Sequence, residues 1–191
     1  MLAVLDRHIR AWHLWALNSL AVAWFVGITI ASRVALPDVA LFRCPVGFCA
    51  GGYSPDDLRA TLTQIGEEGR DFLHDTLLPL DLVLPALLCG ALVITSSYFS
   101  RPGQPMAVPL TPGARYGLLA VPLLYGLADY GENLAVAQML RAYPKIGDAL
   151  AHRASVLTAA KSQLIAASIG IAVALAVAAW GAARSGPRTP R

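Results

Sequence analysis

Long apolar runs, each closed by a charged or turn-forming segment, set the reading of this chain. Residues 11–32 are apolar almost throughout, with Trp12 and Trp15 near the start and Arg33 at the end. About 20 predominantly apolar residues in helical form cross a bilayer, so this run predicts a first spanning helix. A cleaved signal peptide has an apolar core of only about 7–15 residues, so the run is read as retained. A second long helix is expected over 67–99. Its apolar body, Leu77 to Ile94, is interrupted by Pro79, Asp81 and Pro85. The turn at Arg101-Pro102-Gly103 leads to a third helix over 113–142, which Pro122 should kink. Tyr143-Pro144-Lys145-Ile146-Gly147 makes a tight connection to a fourth over 148–183, purely apolar from Leu164.

Between the first two runs the pattern changes. Ser54-Pro55-Asp56-Asp57 supplies a capping serine, proline at the first helical position and acids in the first turn. Leu58, Leu62 and Ile65 follow at helical spacing, so a short amphipathic helix lies across the end of the bundle until Gly66 and Gly69 break or bend it. The expected architecture is all-α: a polytopic membrane protein with a four-transmembrane-helix bundle and a short amphipathic helix in the first external loop. That loop spans 33–66, a disordered tail covers 185–191, and residues 1–191 form one membrane domain.

Composition agrees with the pattern. The 191 residues are 56% hydrophobic and 14% charged, against about 25% charged in soluble domains. No run of Lys or Arg offers a nucleic-acid surface. Cys44 and Cys49, separated by a segment with Pro45 and Gly47, are a disulfide candidate on an oxidising side. A zinc site needs about four ligands and no further Cys/His pair stands nearby, so no metal is expected. Lys and Arg divide almost evenly between the two sides, and the candidate disulfide decides the orientation: multi-pass in the plasma (bacterial inner) membrane with both termini cytoplasmic.

The chemistry gathers at Tyr125-Gly-Leu-Ala-Asp129-Tyr-Gly-Glu132-Asn133. On a helix, Tyr125, Asp129, Glu132 and Asn133 share one face, and ionisable groups at membrane depth are costly unless they have partners or a use. Helical rise brings Asp81, Asp129, Glu132 and Lys161 to a similar height near the outer boundary. On the second helix Arg70, His74 and Asp81 would share a face. On the fourth, Thr158, Lys161, Ser162, Ile165 and Ser168 form a mixed stripe. The expected site is an outward-opening polar funnel. In it Asp129, Glu132 and Asp81 are the candidate catalytic, proton-handling acids, while Arg70, His74, Asn133, Tyr125, His152 and Lys161 are candidate ligand-binding groups. His74 and His152, at one depth on different helices, could also bracket a b-type haem, although no cofactor is expected.

Tyr53-Ser54, Gly66-x-x-Gly69-Arg70, Asp81 and Asp129-x-x-Glu132-Asn133 resemble recurring features of small bacterial four-helix membrane proteins of unassigned activity. The resemblance covers about residues 53–165, implies a compact membrane bundle and brings no reaction with it. The function expected from the residues is binding of, and chemistry on, a membrane lipid or other amphipathic small molecule. Two readings compete: a structural or assembly subunit whose buried charges only fix helix packing, and a proton-coupled carrier using the same acids as a relay. Ala166, Ala167, Gly170, Ala174 and Ala178 make the fourth helix a close-packing one, a candidate homo-oligomer interface.

Overall fold

Helices form wherever the apolar runs and their caps dictate, and the described residues contain no strand. The structure, a computed structural model, describes residues 2–36, 51–102, 107–108 and 110–185. Cys44 and Cys49, most of the first loop and the end of the tail lie outside the described residues. A short α1 (Leu2–His8) precedes α2 (Ala11–Ala35). After the loop come α3 (Pro55–Gln64) and α4 (Gly66–Phe72), then a π-helical turn at Leu73–Leu77, α5 (Leu78–Asp81) and α6 (Leu84–Ser100). The chain closes with α7 (Pro112–Ala142) and α8 (Asp148–Ser185). Among the described residues, three segments are long and apolar enough to cross a membrane: Ala11–Ala35, Gly66–Ser100 and Asp148–Arg184. The 31-residue α7 is of comparable length and carries Asp129, Glu132 and Asn133 among its buried residues.

The segment expected as one helix over 67–99 is built in pieces, and its prolines account for that. Pro79 and Pro85 lack the N–H that would bond the carbonyl four residues earlier, and their rings crowd that carbonyl. A π-helical turn lies just before Pro79, and the α-helix is interrupted at Leu82–Val83, just before Pro85. Carbonyls around the interruption are taken up from outside the segment: Trp24 Nε1 of α2 donates to Leu80 O (3.0 Å) and Tyr130 Oη of α7 to Leu82 O (3.1 Å). Broken helices survive at membrane depth when neighbouring helices bond the freed groups in this way.

Helices α6, α7 and α8 pack on one another, and α2 lies against α6. Along α8 the buried positions Ala151, Ala154, Thr158, Ser162, Ile165, Ser168, Ala172, Leu175 and Ala179 recur every three or four residues. The alanines and serines among them let α7 approach closely. The other small stripe, Ala166, Ala167, Gly170, Ala174 and Ala178, faces outward. At one end of the bundle Arg115, buried, grips Asp6 (2.5 and 2.8 Å), and Arg101 donates to the Ile9 carbonyl (2.9 Å), tying α1 to α6 and α7.

The opposite end is closed by α3. Ser54 caps it, accepting from Asp57 N at 3.1 Å, and Gly66, with φ +70°, turns the chain into α4. Arg59 fixes α3 to the start of α8, bonding Asp148 and the Ile146 carbonyl; the Asp148 carboxylate, with Asp56 beside it, raises the guanidinium's pKa above the ordinary value. Leu58 and Leu62 join Leu36, Leu73, Met139 and Ile146 in an apolar core beneath α3.

Candidate functional site

Below that cap, Lys161 of α8 reaches across to α7. Its ammonium lies 3.0 Å from Asp129 Oδ1 and also pairs with Glu132. The Tyr125 phenol donates to the other Asp129 oxygen at 2.7 Å, one helical turn away. The Thr158 hydroxyl donates to Glu132, and Ser162 to the Thr158 carbonyl at 2.8 Å. Asp129, Glu132 and Asn133 are 3%, 8% and 6% exposed. Each carboxylate therefore meets the lysine and a hydroxyl, which makes burial of these charges tolerable.

Asn133 stands apart from this knot. Its amide is turned towards Asp81, and its buried Nδ2 completes no hydrogen bond. Both residues line a cavity of about 240 Å³. One wall comes from α2, with Phe25, Ile28, Thr29, Ser32 and Arg33. The other comes from α7, with Tyr125, Asp129, Glu132, Asn133 and Val136. Leu62, Leu73 and Leu77 belong to the capping side, and Leu84 and Leu88 continue the apolar lining along α6. Because α2 packs chiefly on α6, the space between α2 and α7 is left to the cavity.

Tyr53 closes the polar end near Thr158 and Glu132, and burial pushes its phenol's pKa up from the ordinary value. Its backbone N–H donates to Ser155 Oγ at 2.8 Å. Gly52 permits that contact: φ is +72°, and a Cβ there would lie 2.4 Å from Ser155 Oγ.

Of the residues expected at the site, Tyr125, Asp129, Glu132, Asn133, Lys161 and Asp81 come together around this cavity. Arg70, His74 and His152 do not line it. Arg70 donates to the Leu62 carbonyl at 2.9 Å and lies 4.0 Å over the Tyr143 ring. His74 bonds its neighbour Asp75 at 2.6 Å, and His152 is exposed on α8. The π-helical turn explains the first two. One extra residue in a turn rotates everything beyond it by about 100° relative to an unbroken helix, so Asp81 leaves the face that Arg70 and His74 would have shared with it. His152 falls beside, not on, the buried stripe of α8. The end of the bundle at which the funnel is expected to open carries α3 and its apolar core. The wall from α2 was not anticipated. Thr29, Ser32 and Arg33, spaced as one helical face near the end of an apolar run, were the available signal.

No family model matches the chain, and neither any curated protein nor any solved structure is significantly similar to it.

Proposed function

We propose that this chain is a multi-pass membrane protein of four spanning helices that binds a lipid-like amphiphile in the cavity between α2 and α7. The observation that carries the reading is the make-up of that cavity. Leucines, a phenylalanine and an isoleucine line it, and charged and amide groups converge at one end, the pattern of a site for a chain with a polar head. In this reading the apolar tail lies along Leu77, Leu84 and Leu88, and the head meets Asp81 and Asn133. Asp129 and Glu132, held by Lys161, are the groups available to pass a proton to or from it. With four spans both termini share one side, and we assign them to the cytoplasm of a plasma (bacterial inner) membrane. Trp12 and Trp15, exposed at one end of α2, suit an interfacial aromatic belt.

Native mass spectrometry of the protein released from membranes in an uncharged maltoside tests the binding. The wild type should carry one discrete amphiphile, and Thr29→Trp, which adds an indole to the α2 wall of the cavity, should lose it. If the wild type is bare and takes up no added amphiphile, the binding reading fails. A second reading is then favoured by the completeness of the Lys161 cluster itself: charges that fix how α7 and α8 pack and do nothing more.

A further inference from the structure

The balance of charge around the cavity bears on which head it takes. Three carboxyl groups, from Asp81, Asp129 and Glu132, face it from α5 and α7. Lys161, partly buried, is the one cation there besides Arg33 among the described residues, and it is committed to Asp129 and Glu132. Arg70 and His74, the groups expected to receive an anionic or polar head, are engaged elsewhere. Arg33 belongs to the cavity but is exposed at the end of α2, where solvent screens its charge. Asp81 forms no ion pair among the described residues.

Asn133 supplies an independent observation. Its amide is 6% exposed, lines the cavity and faces Asp81, yet Nδ2 completes no hydrogen bond of good geometry. A buried donor of that kind costs free energy until an acceptor reaches it. The geometry points to an amphiphile with a positively charged, ammonium-type head as the occupant: its nitrogen is paired with Asp81, and an oxygen close to that nitrogen accepts from Asn133. A carboxylate or phosphate head in the same place would face two or three carboxylates at close range with its only cation already shared. This inference rests on the binding reading above and narrows it to a class of head.

Three probes with the same decyl tail separate the possibilities: decylammonium, decanol and decanoate, each titrated at equal loading into the wild-type protein in uncharged maltoside micelles. Occupancy is read by native mass spectrometry, with Thr29→Trp as the blank for micelle partitioning. Decylammonium should saturate one site at least about tenfold more tightly than decanol, with decanoate weakest. Asp81→Asn should remove that preference, bringing decylammonium to within about twofold of decanol. Decanoate binding as tightly as decylammonium, or a preference that persists in Asp81→Asn, overturns the assignment of the head. Equal binding of all three also overturns it while leaving the cavity reading intact, whereas no binding of any probe overturns both. If Asp81→Asn does not fold, the ranking of the three probes on the wild type decides alone.

Discussion

At the scale of single residues, Lys161 holds the greatest leverage. Its ammonium is shared by two carboxylates that are 4% and 10% exposed as side chains, so removing it leaves two buried acids facing each other. Truncating one member of a buried ionic cluster costs about 3–5 kcal/mol. Lys161→Met should therefore lower the apparent Tm in maltoside by on the order of 10 °C. Adding Asp129→Asn and Glu132→Gln to that variant should recover most of the loss, since no uncompensated charge then remains. A Lys161→Met protein as stable as the wild type would show that the cluster contributes nothing to folding. These residues were legible in the sequence because the argument needed only local geometry and height. Tyr125 and Asp129 are one turn apart on any helix, and rise per residue brings Lys161 level with them. The direction of Arg70 and His74 was not legible, because it depends on a π-helical turn that no spacing rule announces.

At the scale of elements, the decisive feature is the interrupted helix from α4 to α6. The prolines that would foretell a bend are plain in the sequence. Which partners take up the carbonyls is a tertiary fact, since Trp24 and Tyr130 lie on α2 and α7, more than 45 residues away in either direction. Each bond to a backbone carbonyl contributes roughly 1 kcal/mol. Tyr130→Phe and Trp24→Phe should each lower stability by about that amount, and amide exchange should accelerate around Leu80 to Val83 while α8 is unaffected. Unchanged exchange in both variants would mean that the interruption holds itself. The same dependence on packing explains why the wall contributed by α2 was missed. Its polar residues are sparse, and only the contact between α2 and α6 shows that Thr29 and Ser32 look into a cavity rather than towards solvent or lipid.

For the whole molecule, helical character and membrane-scale apolar length follow directly from composition and run length. The order in which the helices neighbour one another does not. The four-span reading makes a topological prediction: single cysteines at Ser54 and at Arg188, in a background with the native cysteines replaced, should react with a membrane-impermeant maleimide from opposite faces of sealed vesicles. Labelling of both from one face would mean an even number of crossings between them, four spans would be ruled out, and α7 would become the segment to reconsider. The interrupted helix also bears on descent. Proline at 85, indole at 24 and phenol at 130 serve one local need from three separate parts of the chain, so selection should act on them as a set. Lineages that replace Pro85 with a helix-forming residue should be free to let Trp24 and Tyr130 drift, and those that keep it should keep a donor at both positions.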